Sequence, residues 1–190
     1  MNGNLAFQEE VWEELIDGQI VAMSPRPAWF HISTAGNIYS IFSQYLRGKQ
    51  CTPIPDGMEL HLSEKDCFIP DMMVVCDRDI IKNNGVYGTP SLVVEVLSPS
   101  TAKRDKSYKK NAYEAAGVKE YWIVDTNSKS IEVYLLKNGC YTLDDVYSIY
   151  PDYMLEKMSE EERAAIPTEF RCSLFDDLTI RLEEVFERVL

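Results

Sequence analysis

The stretch SLVVEVLSPSTAKRDKSYKKNAYEAAGVKEYWIVD, residues 91–125, decides the fold because it joins two apolar strands through one helix. SLVVEVL and KEYWIVD are short, nearly continuous apolar runs, a pattern typical of strands buried on both faces of a sheet. Between them, DKSYKKNAYEAAG combines alanines and lysines with a stop at Gly117, which predicts a helix. The stretch therefore predicts the centre of a sheet with a helix packed over it.

Further elements on both sides of this stretch extend the sheet and cover it. IPDMMVVC, residues 69–76, is another apolar run, and MELHLSE, residues 58–64, alternates as a half-buried strand does. Residues 29–46 carry apolar side chains at helical spacing, which predicts an amphipathic helix ending near Gly48. SIEVYLLKNGCYTLDDVY, residues 130–147, predicts a hairpin that turns at its Asn-Gly pair. We therefore expect an α/β protein, on the border of α+β, with a mixed central sheet and helices on both faces.

The two ends of the chain predict smaller elements. AFQEEVWEELIDG, residues 6–18, has the pattern of a short acidic helix closed by Gly18, and QIVAM follows as a strand. FDDLTIRLEEVFERVL, residues 175–190, predicts an amphipathic helix. The 190 residues are 45% hydrophobic, which suffices for one core, and they contain no internal repeat. We expect a single domain spanning residues 1–190.

Charge and cysteine content exclude several classes of protein. The formal net charge of -12 argues against a protein that coats nucleic acid, because a polyanion is repelled unless the field is locally reversed. An odd number of cysteines without CxxC spacing disfavours a disulfide framework and a zinc knuckle, and favours small buried apolar side chains. These are Cys51, Cys67, Cys76, Cys140 and Cys172. No apolar run is long enough to span a bilayer, so we expect a cytoplasmic protein without a membrane partner.

Two acidic residues interrupt strands that are otherwise apolar. Asp71 lies in IPDMMVVC and Glu95 in SLVVEVL, where an unpaired buried charge costs several kcal/mol. A divalent cation removes both costs, because Mg²⁺ takes carboxylate oxygens as ligands. The structural alternative is a strand-end acid bonded to a helix N-terminus or an arginine. Two acids on adjacent predicted strands, followed by a lysine-rich helix, favour a functional site.

The helix entry SPSTAKRDKSYKK can reverse the local electrostatic field. Five of the nineteen basic residues fall within eight positions, although a solvated helix face would use the same residues. The five are Lys103, Arg104, Lys106, Lys109 and Lys110.

Four motifs together resemble one protein family: IPDMMVVCD, SLVVEVLSPSTAKRD, YEAAGVKEYWIVD and IEVYLL. They resemble the Uma-two family of restriction-endonuclease-like proteins, and the similarity includes EELIDGQIVAMSPRP, so that it covers about residues 13–136. The resemblance implies a PD-(D/E)xK nuclease-like fold with a mixed central sheet flanked by helices, followed here by the C-terminal hairpin and helix. It also implies the catalytic residues, with Asp71 as the first acid and Glu95 as the second. The usual lysine position falls on Leu97, and Lys109 on the following helix matches the lysine that substitutes for it in this family.

Four more residues are candidates for the same site. Asp105 precedes Lys109 by one helical turn, so the two side chains could meet, and a helix N-cap explains Asp105 equally well. His31 opens the long helix, either in a structural role or to assist proton transfer. Glu59, on the strand leading to Asp71, and Glu14, on the acidic helix, are further candidate ligands.

These residues imply hydrolysis of phosphodiester bonds. Asp71, Glu95 and the Val96 carbonyl would hold Mg²⁺ or Mn²⁺, and the expected substrate is nucleic acid, with DNA as the first expectation. A homodimer would cut both strands of a duplex. The first alternative is a nuclease fold without activity that binds a partner or regulates one. The second is nucleotide binding, in which Asp125 would bond to a ribose. The GxGxxG motif usual for such a site does not precede this strand.

Three aromatic residues next to these motifs could stack on nucleic-acid bases. Their places in a helix and a buried strand favour core packing instead. They are Tyr113, Tyr121 and Trp122.

Overall fold

A computed structural model describes residues 12–23 and 27–189 of the chain. The strands in chain order are β1 (Glu13–Ile16), β2 (Gln19–Ala22), β3 (Thr52–Pro55), β4 (Leu60–His61), β5 (Cys67–Phe68), β6 (Met72–Val75), β7 (Ile81–Lys82), β8 (Gly85–Tyr87), β9 (Leu92–Val96), β10 (Glu120–Asp125), β11 (Ser130–Lys137), β12 (Cys140–Ser148), β13 (Glu169–Arg171) and β14 (Thr179–Arg181). The helices are α1 (Trp29–Tyr45), α2 (Ala102–Arg104), α3 (Lys110–Ala116), α4 (Asp152–Leu155), α5 (Glu160–Ala164) and α6 (Leu182–Val185), with a 3₁₀ turn at Arg78–Ile80 and a π-helical turn at Asp105–Lys109.

The central sheet has six strands in the order β12-β11-β10-β9-β6-β3. Strands β9 and β10 are parallel and joined through α2 and α3, whereas the other neighbours are antiparallel. Alternate residues of β9 face opposite sides: Val94 packs in the cluster that contains α1 residues, and Val93 packs with Tyr113 of α3. The sequence prediction of a mixed sheet with helices on both faces is confirmed.

Two predicted stop signals lie where the sequence places them. Gly117 adopts a left-handed conformation at φ 84° directly after α3. Asn138 and Gly139, at φ 55° and 81°, turn the β11–β12 hairpin as the Asn-Gly signal predicts. Tyr113, Tyr121 and Trp122 are fully buried, which confirms core packing.

A second sheet, in the order β2-β1-β5-β4-β8-β7, was not predicted. Its first hairpin corrects the N-terminal helix prediction, because Glu13–Ile16 form strand β1 and not a helix. Asp17 and Gly18, at φ 51° and 72°, form a tight hairpin turn, and Leu15 pairs with Cys67 of β5. These strand pairings outweigh the helical preference of the glutamates. Residues 6–11 of the predicted helix lie outside the described residues.

The predicted C-terminal helix is also wrong over most of its length. Strand β13 pairs with β14, and α6 covers only Leu182–Val185. Leu178, Ile180 and Leu182 are buried while the residues between them are exposed, which is the two-residue period of a strand.

The cysteines do not all behave as small buried apolar residues. Cys51 and Cys76 form a disulfide. Thr52 of β3 pairs with Val75 of β6, which brings Cys51, directly before Thr52, next to Cys76, directly after Val75. The expectation against disulfides is therefore wrong for this pair. The three free thiols differ in burial: Cys172 is buried, Cys67 is half-buried and Cys140 is exposed.

Within residues 12–23 and 27–189, no helix combines the length and the apolar character needed to cross a membrane.

Candidate active site

The pairing of β6 with β9 brings the two predicted acids together. Met72 is opposite Val94, and the same antiparallel register puts Asp71 opposite Glu95. Residues directly opposite each other in an antiparallel pair project from the same face of the sheet. The Val96 N–H donates to Asp71 Oδ2 at 2.6 Å, and Glu95 is only 4% exposed. Both acids therefore lie at one end of the central strands.

Lys109 lies among the carboxylates from three different elements. Its Nζ is 2.7 Å from Oε1 of Glu14, 3.1 Å from Oε1 of Glu95 and 3.8 Å from Oδ1 of Asp105. The π-helical turn places this ammonium over the strand ends, where its side chain is 4% exposed. Such turns occur frequently at functional sites. The structure thus places Lys109 against Glu95, with Glu14 and Asp105 beside them, and Asp71 interacts electrostatically with Glu95.

Tyr113 also contacts this group of residues, a role that the sequence analysis missed. Its hydroxyl donates to Glu95 Oε1 at 2.7 Å. The spacing of Asp105, Lys109 and Tyr113 by four residues each was a usable signal, because residues four apart share a helix face.

His31 contacts Asp71 from the opposite side. Its Nε2 is 3.3 Å from Asp71 Oδ1, and its ring also hydrogen-bonds to the backbone of Val96. Burial lowers the pKa of His31, but the hydrogen bond and the charge of Asp71 raise it more, so the pKa lies above its ordinary value. Asp56, a further residue that sequence reasoning missed, interacts electrostatically with both His31 and Asp71.

Burial governs the ionisation of the carboxyl groups at this site. It raises the pKa of Glu95 well above its ordinary range, the Lys109 ammonium opposes the rise, and nearby Asp105 and Asp71 add to it. Burial raises the pKa of Asp105 as well. For Lys109, burial alone lowers the pKa, but the charges of Glu95 and Glu14 outweigh burial and raise it.

Three other residues, Asp105, Glu14 and Glu59, were predicted from the sequence as candidates for the same site, and the structure gives each of them different neighbours. Asp105 is not a helix N-cap, because α2 already begins at Ala102; its side chain is buried beside Lys109. Glu14 lies on a strand and its Oε1 also accepts from the Ile69 N–H at 3.1 Å. Glu59 contacts His61 at 2.9 Å, in an open cleft of about 720 Å³ that Glu14 also lines.

Three lysines of the helix entry contact other side chains, but only Lys109 is buried. Lys106 Nζ is 2.6 Å from Glu132, and Lys110 Nζ lies 3.9 Å above the Tyr134 ring. Lys103 and Lys106 are exposed, Lys110 is half-buried and Lys109 is buried, so the five basic residues do not all lie on the surface. Asp125 accepts from the Asn127 N–H at 2.9 Å, so that it stabilises a turn after β10.

The donor atoms at the site fit a hard divalent cation. Asp71 and Glu95 supply carboxylate oxygens and Val96 a carbonyl oxygen, which are the ligand types of Mg²⁺ and Mn²⁺. Asp105 Oδ1 is buried, and the Lys109 ammonium lies 3.8 Å from it, beyond hydrogen-bond distance. Three carboxylates surround the Lys109 ammonium, and Asp71 adds a fourth acidic group beside Glu95, so an added positive charge would offset the excess of negative charge.

A mixed sheet with helices on both faces defines an α/β protein. The chain belongs to the Uma2 family, described as "Putative restriction endonuclease", whose family model matches residues 4–167. The resemblance seen in the sequence is thereby confirmed. Families of this class typically depend on a metal ion.

Two relatives come from Synechocystis sp. (strain ATCC 27184 / PCC 6803 / Kazusa). "Uncharacterized protein slr1290" is 30% identical over 123 residues, 64% of each chain. "Uncharacterized protein sll1609" is 28% identical over 125 residues, which are 64% of this chain and 70% of the relative. The match thus covers less than two thirds of slr1290.

One solved structure shares the fold. The crystal structure of "a putative nuclease belonging to DUF820" from Anabaena variabilis ATCC 29413 superposes with a TM-score of 0.69. The match covers 94% of this chain and 91% of the other at 17% identity, which establishes a common fold.

Proposed function

We propose that the protein is a Mg²⁺- or Mn²⁺-dependent nuclease that hydrolyses phosphodiester bonds of DNA. The observation that carries this proposal is the register that sets Asp71 opposite Glu95, with the Lys109 ammonium 3.1 Å from the second acid. Family membership supports the same reaction class.

Asp71, Glu95 and the Val96 carbonyl would hold the metal. When bound, a divalent cation lowers the pKa of a water molecule and stabilises negative charge that develops on the phosphoryl group. The Val96 N–H and His31 both bond to Asp71, so that its two oxygens are oriented from two sides. Tyr113 orients Glu95 in the same way.

Lys109 supplies the fixed positive charge of the site. Its contacts with Glu14 and Glu95 hold the two carboxylates together, and its ammonium lies where it can share the charge of the transition state. His31, with its raised pKa, keeps more of its protonated form near neutral pH and can donate a proton to the leaving oxygen.

Cleavage of supercoiled plasmid DNA in Mg²⁺ or Mn²⁺ tests the proposal. Asp71→Asn and Glu95→Gln keep the side-chain volumes and should each lower the cleavage rate by about 100-fold or more, because each removes a charged metal ligand. Asp144→Asn, on the exposed pair with Lys137, is the matched control and should cleave at the wild-type rate. Unchanged cleavage in either site variant would contradict the proposal.

The second candidate function is a binding or regulatory module without catalysis. Two observations favour it: Leu97 occupies the usual lysine position, and the Lys109 ammonium is enclosed by Glu14 and Glu95. Thermal unfolding during a Mn²⁺ titration separates the two functions. A nuclease site raises the Tm as Mn²⁺ binds and Asp71→Asn removes this rise, whereas a module without this metal site shows no rise that depends on Asp71.

The wider proposal is that residues 1–190 form one domain, which acts in the cytoplasm as a homodimer on duplex DNA. The family match over residues 4–167 supports a single restriction-endonuclease-like unit. Sedimentation of the protein with and without a duplex tests the dimer. Comparison of cleavage rates on DNA and RNA of the same sequence tests the preference for DNA.

A further inference from the structure

A second group of possible metal ligands lies on the small sheet, outside the site of Asp71 and Glu95. His61 of β4 and Cys67 of β5 are direct partners across the antiparallel pair, so their side chains share a face. Glu59 precedes His61 by two residues and projects to the same side. Glu59 Oε2 is 2.9 Å from His61 Nε2, and Cys67 Sγ is 3.8 Å from the same nitrogen.

We propose that Glu59, His61 and Cys67 bind Zn²⁺ or a transition-metal ion of similar chemistry. One ligand atom from each residue lies within 4.8 Å of the other two. Carboxylate oxygen, imidazole nitrogen and thiolate sulfur together suit Zn²⁺, whereas Mg²⁺ takes oxygen ligands alone. On binding, the Cys67 thiol releases its proton to solvent and ligates as the thiolate.

The two distances that join His61 to Glu59 and to Cys67 are already close to those of a zinc site. Tetrahedral zinc with ordinary bond lengths separates a nitrogen from a sulfur by about 3.6 Å and a nitrogen from an oxygen by about 3.3 Å. The observed distances of 3.8 Å and 2.9 Å differ from these by a few tenths of an ångström. The third pair, Glu59 and Cys67, lies within 4.8 Å, so side-chain rotation about the fixed imidazole would complete the site.

The imidazole of His61 is held in place by its neighbours. It stacks on the Tyr87 ring at 4.2 Å between centroids and 5° between planes, and the Asn84 amide donates to the Tyr87 hydroxyl at 2.8 Å. Gly85 allows this packing, because a Cβ there would lie 3.1 Å from His61 Cδ2. A fixed ligand ring reduces the ordering cost of metal binding.

Three protein ligands leave one position on the ion open. All three residues line the cleft of about 720 Å³, so the fourth ligand would be a water molecule or a substrate group in that cleft. Glu14 lines the same cleft and contacts Lys109 with its Oε1, so the two sites adjoin. The zinc site does not depend on the nuclease proposal, because its ligands are separate from Asp71 and Glu95.

Metal titration of the full chain tests the site. After treatment with a chelator under reducing conditions, the wild-type protein should retain one Zn²⁺ per chain through gel filtration, even in excess Mg²⁺. Co²⁺ should produce the near-ultraviolet sulfur-to-cobalt absorption of a thiolate ligand. Failure to retain Zn²⁺, or Co²⁺ binding without this absorption, would overturn the proposal.

Variants assign the ligands. His61→Ala and Cys67→Ser should each weaken Zn²⁺ binding by about 100-fold or more, because each leaves only two protein ligands. Cys140→Ser changes an exposed thiol on β12 and Asp71→Asn changes the other site, so both should bind Zn²⁺ as the wild type does. Wild-type affinity in both His61→Ala and Cys67→Ser would refute the assignment.

A measurement on the wild-type chain covers the case in which these variants fail to fold. Bound Zn²⁺ should slow alkylation of Cys67 by iodoacetamide by about 10-fold or more and leave Cys140 unaffected, as read by peptide mass spectrometry. Equal alkylation of Cys67 with and without Zn²⁺ would contradict the proposed site.

Discussion

Lys109 is the residue on which the candidate active site most depends. Its ammonium contacts Glu14 and Glu95, and all three side chains are at most 5% exposed. A buried charge that loses its partner is far more costly than an exposed one, because water cannot replace the lost interaction. The same lysine therefore contributes to stability as well as to the proposed chemistry.

Lys109→Met should lower the free energy of unfolding by about 3–5 kcal/mol at neutral pH, because it leaves two carboxylates buried without their counter-charge. Urea unfolding measures this loss, which should shrink at acid pH as the carboxylates take up protons. The control is Lys106→Met, which breaks a partly exposed pair with Glu132 and should cost at most about 1 kcal/mol. Equal losses in both variants would contradict the buried cluster.

The raised pKa of Glu95 makes both stability and metal binding depend on pH. The folded state holds the Glu95 proton more tightly than the unfolded chain does. The free energy of unfolding should therefore fall as pH rises from the unfolded pKa through the folded pKa. Metal binding requires loss of the same proton.

Mg²⁺ should accordingly raise the Tm more at about pH 8 than at about pH 5, because protons compete with the ion for Glu95 and Asp105 at the lower pH. Differential scanning fluorimetry at matched ionic strength measures the shift. Glu95→Gln is the control and should lose most of this pH dependence. A Tm shift that is the same at both pH values would argue against metal binding by these carboxylates.

Individual residues differ in how far the sequence could reveal them. Asp71 and Glu95 stand out because a charge in an apolar strand is costly, and this cost is visible without coordinates. Glu14 and Tyr113 gave a weaker signal, since an acid in an acidic segment and an aromatic in a helix are both ordinary. Their contacts with Lys109 and Glu95 exist only after distant segments meet.

At the scale of elements, the disulfide joins the beginning of β3 to the end of β6. Strand β6 has Cys76 directly after its last residue and Asp71 directly before its first residue. The covalent link therefore restrains the strand that positions the first acid.

Reduction of this disulfide, or Cys51→Ser, should lower the free energy of unfolding by about 2–4 kcal/mol, because the unfolded chain loses the constraint of a closed loop. Urea unfolding with and without dithiothreitol measures the change. Cys140→Ser, at an exposed free thiol, should leave stability and its response to dithiothreitol unchanged. A wild-type protein whose stability does not respond to reduction would show that the bond is absent in solution.

At the scale of the whole molecule, a net charge of -12 works against a polyanionic substrate. Two lysines of the helix entry are already paired with acids, because Lys106 contacts Glu132 and buried Lys109 contacts Glu95. A bound divalent cation would therefore carry much of the attraction for phosphate.

DNA binding should depend on a divalent cation. With Ca²⁺ as a probe that permits binding to be measured, fluorescence anisotropy of a labelled duplex should show affinity at least about 10-fold higher than in EDTA at equal ionic strength. Asp71→Asn should lose most of this increase. Equal affinity in Ca²⁺ and EDTA would indicate a different mode of recognition.

The sequence by itself determined the elements whose signals are local. Apolar runs marked β6, β9 and β10, Gly117 marked the end of α3, and an Asn-Gly pair marked the β11–β12 turn. These signals were sufficient to predict the central sheet and to identify the two acids that interrupt its apolar strands. Only the tertiary structure decided that residues 13–16 form a strand, that Cys51 bonds Cys76, and that Glu59, His61 and Cys67 converge. The physical reason is that these features depend on the register between paired segments, which local propensity does not encode.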